Sequence, residues 1–527
     1  MAASLTPQQL KALLSDGQEL ALLDVREQGL YSRAHLFHAV SLPLSWLELK
    51  IDDLVPRRDT RIVLCDQGQG PELALRARQK LDAFGYRDVR VLAGGVSAWA
   101  GDGFQVFSGV NVPSKAFGEF VEVSYDTPRI DAKALKQRLD AGEQLVILDS
   151  RPMDEFQRMS IPGGVDCPGA ELVHRVFDMA PDPDTPVVVN CAGRTRSIIG
   201  AQSLRNAGIP NPVVALKDGT MGWKLAGLAL AHGETDHAPP PSPAGREKAG
   251  EAARRVAERF GVARVARATV ENWRKDPSRT LYLLDVRTGE EYLAGHLPGS
   301  RHAPGGQLVQ ATDEYVAVRN ARIVLLDDDE IRATMTASWL IQMGWPAVVV
   351  LAGGVTGEQD LVSGPHHPRV LGFREAPTIT PRELQKLLDP EEMAIVVDLD
   401  TSLSYREAHI PGARWTTRAR LPDLAGSLAG QLVLTSRNGV LAHLAARDIL
   451  KSRPDVLVLD GGTDAWMSEG IATESGIDRR LEPDDVWYKP YDQQAGVEQA
   501  MRDYLSWEVN LVEQIRREGD VGFRRFD

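Results

Sequence analysis

The sequence predicts an α/β protein of four tandem domains, each a mainly parallel sheet flanked by helices, followed by a C-terminal helical tail. Three observations carry that prediction. One ordered set of segments recurs four times at intervals of about 110–135 residues, a domain-sized period rather than a solenoid one. Within each copy, short apolar runs alternate with helical patterns, as in parallel βα units. Each copy then closes on a strand and a turn: VLAGGVSAW, ALKDGTMGW, VLAGGVTGE and VLDGGTDAW. The extents are read as 1–110, 125–232, 262–362 and 376–475, with the tail at 476–527.

Each copy opens with a helix start signal: TPQQLKALL from Thr6, IDAKALKQRL from Ile130, ATVENWRK from Ala268 and TPRELQKLL from Thr380. An apolar strand ending in aspartate follows, as ALLDVR to Arg26, VILDSR to Arg151, YLLDVR to Arg287 and IVVDLD to Asp400. A turn signal comes next: HLFHAVSLP from His35, SIPGGVDCP from Ser160, HLPGSRHAP from His296 and HIPGARWTT from His409. Then comes a central strand and its loop, where Cys65, Cys191, Asp327 and Thr435 are read as the key position.

The linkers differ. GVNVPSKAFGEFVEVSYDTP, between the first two copies, is rich in apolar and aromatic residues and reads as ordered and packed. HGETDHAPPPSPAG, between the second and third, is a semi-rigid proline spacer before a helix in REKAGEAARRVAERFG. Two halves, each a tandem pair, are therefore expected. In the tail, a helix across 497–517 carries Met501, Tyr504, Leu505, Val509, Leu511, Val512 and Ile515, much of that set on one face. Docking on its own chain is the expected use, a dimer contact the alternative.

Composition narrows the function. The chain has 527 residues, a formal net charge of −13, 43% hydrophobic and 25% charged residues. The acidic balance argues against non-specific nucleic-acid binding. Three cysteines, Cys65, Cys167 and Cys191, in so long a chain suggest a reducing compartment and no disulfide framework. No signal peptide is evident at the N-terminus, and no apolar run approaches the roughly 20 residues that span a bilayer. A cytoplasmic monomer or homodimer, with no membrane or nucleic-acid partner, is expected.

The chain is organised around PVVVN-CAGRTR-SIIGAQS, residues 186–203. Three consecutive valines argue for a buried strand. The following run has helical spacing and stops at Gly208. A cysteine between them sits among free N–H groups at a helix N-terminus, which favour an anion and hence the nucleophilic thiolate. Arg194 and Arg196 add positive charge, Gly193 is expected to relieve crowding around the sulfur, and Thr195 and Ser197 are placed to cap the helix.

These landmarks, D-x-R, H-[IL]-P-G, the short cysteine loop and G-G-x-x-x-W, resemble those of the rhodanese superfamily of sulfurtransferases over about residues 1–475. The resemblance implies that Cys191 is the catalytic residue and carries a persulfide. It implies that Arg151, of the D-S-R motif, joins Arg194, Arg196, Gly193 and Thr195 in binding a small anionic donor such as thiosulfate. The acceptor would be a thiol, including a protein sulfur acceptor, or cyanide. No cofactor and no metal are called for. Ser160 stands where the other copies have the family's structural histidine.

The other loops are read as inactive. CDQGQGPEL at Cys65 lacks arginine and counts about three residues longer than the second copy's loop, measured back from Gly85 and Gly208. Asp327 and Thr435 cannot hold sulfane sulfur. Cys167 reads as a packed thiol. A mercaptopyruvate-type enzyme and a non-enzymatic scaffold or sulfur sensor are the alternatives. A phosphatase on the same fold would need five residues between cysteine and arginine, and here there are four.

Overall fold

The computed structural model describes residues 4–70, 72–357, 360–388 and 394–527. Pro71 in the first loop and Glu358 at the third copy's closing turn lie outside the described residues. The chain forms four parallel sheets flanked by helices, and each copy lays down its strands in the spatial order first, fifth, fourth, second, third. In the second copy these are Arg129–Ile130, Val213–Leu216, Val187–Asn190, Val146–Asp149 and Val165–Asp166. The fourth strand is central, buried along its length, and its C-terminal end opens toward the loop and helix Thr195–Ala207. Loops at the carboxyl ends of parallel strands are where such sheets place ligands.

The repeated motifs are devices that fasten this fold. In D-x-R the arginine forms a two-bond pair with the aspartate two residues earlier: Arg26 with Asp24, Arg151 with Asp149 and Arg287 with Asp285. Each also donates to the carbonyl eight residues on, of Ala34, Met159 or Gly295, which ties the strand end to the next turn. The turn histidines stack on a tyrosine, Tyr31 on His35, Tyr292 on His296 and Tyr405 on His409, at 3.8–4.0 Å between ring centroids. The closing tryptophans Trp99, Trp223 and Trp466 are buried, and each donates its indole N–H to a carbonyl six residues later.

The expected division into two halves is not what forms. Strand Val318–Arg319 of the third copy adds antiparallel to Leu20 and Ala21, extending the first copy's sheet to six strands. Arg418 of the fourth copy forms a buried pair with Glu48 of the first. Helix Pro243–Phe260 follows the proline spacer and packs its alanine face between helices Glu171–Met179 and Ile331–Gln342. The spacer's composition reports stiffness, but burial of these faces decides the arrangement. The linker 109–128 contains the helix Val112–Tyr125, largely buried. The tail helix Val497–Glu518 lies on it, burying Met501, Leu505, Leu511 and Ile515. Val509, expected on that apolar face, is 48% exposed. No helix among the described residues is long and apolar enough to cross a membrane.

Candidate active site

Strand register identifies the equivalent loop positions. Asp24 pairs with Cys65, Asp149 with Asn190 and Asp398 with Thr435, while Asp285 pairs with Leu326. The next residue in each copy is therefore equivalent: Asp66, Cys191, Asp327 and Ser436. The same four carbonyls accept an N–H from the closing turn, donated by Val96, Thr220, Val355 and Thr463. This corrects the sequence expectation, which put Cys65 and Thr435 at the key position. Each is one residue early, still inside its strand. The first loop is then two residues longer than the second rather than three, counted to the helix N–H at Ala74 or Ser197.

Cys191 is 2% exposed. Its thiol donates to Ser197 Oγ at 3.6 Å, and Ser197 Oγ donates to the Arg194 carbonyl at 2.8 Å. Burial raises the thiol pKa, and this outweighs the opposing pull of Arg196 and of the Ser197 hydroxyl and N–H. Desolvation is thus the largest influence on the thiol in the closed site, with Arg196 and Ser197 on the side of the anion. Gly219 makes the loop possible: at φ +54°, a Cβ there would lie 2.1 Å from the Cys191 carbonyl oxygen.

The arginines divide. Arg196 lines the cavity at Cys191, paired with Glu155 at 2.7 and 3.2 Å and with Gln307 at 3.1 Å. Burial works against the Glu155 charge, but Arg196 prevails and holds that carboxyl at about 2. Arg194 is committed elsewhere. It makes two 2.7 Å bonds to Glu119, one to Glu122 at 2.5 Å and one to Asp218 at 3.1 Å, and is 4% exposed. Three carboxylates surround it, so Arg194 has a structural use that the sequence did not show, and it also lines the cavity at Cys191. Arg151 is fully buried, held by Asp149 rather than by Asp154 or Glu155, and does not line the cavity.

Thr195 does not cap its helix. Its hydroxyl donates to Glu508 Oε1 at 3.3 Å, while Ser197 serves the Arg194 carbonyl. The need for Gly193 also differs from the expectation. A Cβ there would meet Glu508 Oε2 and Tyr504 Cε1, both at 3.3 Å, so the glycine makes room for the tail helix.

The cavity has a volume of about 220 Å³, and every copy contributes to its wall: Gln28 of the first, Cys191 and Arg196 of the second, Gln310 and Glu314 of the third, Leu403 of the fourth. Lys115 comes from the linker helix and Trp487, Lys489, Tyr491, Tyr504 and Glu508 from the tail. Sequence reasoning passed over this second group. Lys115 Nζ lies 5.1–5.3 Å from the rings of Trp487, Tyr504 and Trp507, and burial lowers it to about 8. Lys489 Nζ lies 3.6 Å from Glu155. Ala192, Met221, Met501 and Leu505 form a small apolar cluster that seats the tail on the Cys191 loop.

A family model for the rhodanese-like domain matches residues 6–102, 131–226, 267–359 and 380–469. The chain belongs to the rhodanese family. A crystal structure of thiosulfate sulfurtransferase from Pseudomonas aeruginosa is 48% identical and covers 100% of both chains, with a TM-score of 0.94. An HTH-type transcriptional regulator of Mycobacterium tuberculosis is 36% identical over 101 residues, 19% of this chain and 42% of the regulator. YrkF of Bacillus subtilis, provisionally described as a sulfur carrier, is 30% identical over 96 residues, 18% of this chain and 51% of its own. This chain therefore matches about half the length of those two curated relatives.

In the three rhodanese copies without a cysteine at the key position, an oxygen side chain takes the seat. Asp66 accepts from the Ala74 N–H at 3.0 Å, Asp327 from Ala333 at 3.0 Å and Ser436 from Ala442 at 3.2 Å. Each accepts from the first turn of the helix that follows its own loop, the counterpart of helix Thr195–Ala207 after Cys191. Cys65 and Cys167 are fully buried, and burial raises both thiols far above the usual range.

Proposed function

We propose that this rhodanese-type sulfurtransferase takes sulfane sulfur from thiosulfate onto Cys191 and passes it to a thiol or to cyanide. The observation that carries the reading is a cysteine at the end of the central strand, beside Arg196 and the Ser197 N–H, in a cavity walled by further cations. The Cys191 thiolate attacks the outer sulfur of thiosulfate. The S–S bond of the donor breaks, and sulfite leaves with its electron pair. The resulting persulfide gives its outer sulfur to the acceptor and returns Cys191 as thiolate, a two-step covalent scheme. Lys115, Arg196 and Lys489 supply the charge that draws in the donor's sulfonate end, with the planar fork of Arg196 suited to its oxygens. Asp66, Asp327 and Ser436 offer no sulfur, so the remaining copies serve as walls and supports.

Incubation with thiosulfate followed by peptide mass spectrometry tests the reading. One added sulfur atom is expected on the Cys191 peptide and none on those of Cys65 or Cys167. Cys191→Ala should abolish transfer from thiosulfate to cyanide, while Cys65→Ala and Cys167→Ala retain most of it. Wild-type turnover in Cys191→Ala would refute the assignment.

A further inference from the structure

The tail helix brings a reactive group to the sulfur as well as covering it. Glu508 stands on the wall of the Cys191 cavity and is 1% exposed. Its two oxygens differ. Oε1 accepts from Tyr504 Oη at 2.9 Å and from Thr195 Oγ1 at 3.3 Å. Oε2 has no hydrogen-bond partner and lies over the catalytic loop, 3.3 Å from where a Cβ of Gly193 would be. A buried carboxylate oxygen left unpaired costs stability, so its placement in the cavity calls for an explanation.

We infer that Oε2 of Glu508 is the base that removes the S–H proton of the acceptor thiol, an inference that rests on the reading of Cys191 as the sulfur carrier. The acceptor's S–H bond breaks and its proton moves to Oε2. The thiolate electron pair forms a bond to the outer sulfur of the protonated Cys191 persulfide. The S–S bond at Cys191 breaks, and its electron pair stays on Cys191 Sγ, where Arg196 and Ser197 favour the anion. The product is the acceptor persulfide, and Glu508 returns its proton to water. Sulfane sulfur moves between two thiolates, so no outside oxidant or reductant is used.

The electrostatic surroundings suit the role. The charged groups facing the carboxylate are Lys115 and Glu119 of the linker helix and Arg194 of the loop, with Tyr504 one turn earlier on its own helix and Cys191 opposite. Burial raises Glu508 to about 7, with Lys115 pulling the other way, so the group exchanges its proton near neutral pH.

The test loads Cys191 with thiosulfate, removes the excess and follows a single discharge to two acceptors. One is an alkyl thiol, protonated at the assay pH; the other is an aromatic thiol already ionised there. Glu508→Gln keeps the side chain's shape and an acceptor for Tyr504 and Thr195. General bases contribute roughly 10²–10⁴-fold, so discharge to the alkyl thiol should fall at least about tenfold more than discharge to the ionised thiol. The rise in alkyl-thiol discharge around neutral pH should also disappear. Equal losses with both thiols, or undiminished discharge to the alkyl thiol, overturn the inference. So does a defect confined to loading, which would make Glu508 the base for Cys191 itself. Absence of sulfur on Cys191 after loading refutes the carrier assignment, and the inference with it, before any acceptor is added.

Discussion

Arg194 and Arg196 stand two residues apart, and their removal should have opposite consequences. Arg194→Ala leaves Glu119, Glu122 and Asp218 without the guanidinium they share, and the Glu119 side chain is 2% exposed. Removing one partner of a buried ion pair costs about 3–5 kcal/mol, because the other charge stays desolvated. Protonation of Glu119 offers a partial escape, and burial already raises its pKa despite Arg194. A carboxyl whose folded pKa lies above its unfolded one loses stability as pH rises, so the deficit of Arg194→Ala should be larger at pH 8 than at pH 5.5. Adding Glu119→Gln should recover part of it. Arg196→Ala should instead cost a charge-assisted contact to the sulfonate, about 1.5–3 kcal/mol, or roughly 10- to 150-fold in thiosulfate affinity. An uncharged polysulfide donor separates the two, since it has no sulfonate to lose. Urea unfolding at both pH values and turnover with both donors make the measurement. Arg194→Ala should be unstable and equally impaired with the two donors, Arg196→Ala selectively poor with thiosulfate. An Arg194→Ala protein as stable as wild type and selectively poor with thiosulfate would refute this division.

Two further outcomes follow from the geometry. Burial opposes a charge on His174, but its hydrogen bond to Asp329, at 2.9 Å, and the Glu171 carboxylate 3.5 Å from Nδ1 prevail and raise it to about 9. Its contribution to the contact between the second and third copies, at most about 3 kcal/mol, is fully present below pH 6.5 and lost as pH rises through about 9. His174→Gln should flatten the fall in urea midpoint between pH 6 and pH 9.5, and an unchanged slope would show that another group controls it. Gly219→Ala should block sulfur loading of Cys191, because a Cβ there meets the Cys191 carbonyl oxygen at 2.1 Å and φ is +54°. Normal loading, read by mass spectrometry, would show that the loop yields without consequence.

The parts of this molecule legible in the sequence are those written locally. Val187, Val188 and Val189 read as a buried strand because no other local structure suits three β-branched residues before a loop. Aspartate and arginine two apart, repeated three times, marked a strand end, although the arginine's use as a buried tie to that aspartate was not visible. Register was harder. Cys65 and Thr435 look like loop residues, and pairing across the sheet is needed to see that each is the last residue of its strand. The ion pairs of Arg194 were not visible because its carboxylates, Glu119 and Glu122, lie in a linker more than seventy residues earlier. A signal was present there: two acids three apart on one helix face, both needing a cation.

The tail shows the same limit in its strongest form. Thr195 and Glu508 are 313 residues apart, and nothing local announces their hydrogen bond. Yet Tyr504 and Glu508 are spaced one helical turn apart, and Lys115 is matched by three aromatic rings, a pattern that asks for a shared site. That site gives the three copies without the cysteine a physical use. A chamber walled by Gln28, Gln310, Glu314 and Leu403 exists only when all four copies are packed, and it closes over Cys191 only when the tail is docked. On the proposed reading, water exclusion around a Cys191 persulfide, which would otherwise lose its sulfur to any passing nucleophile, then depends on the whole chain rather than on the second copy alone.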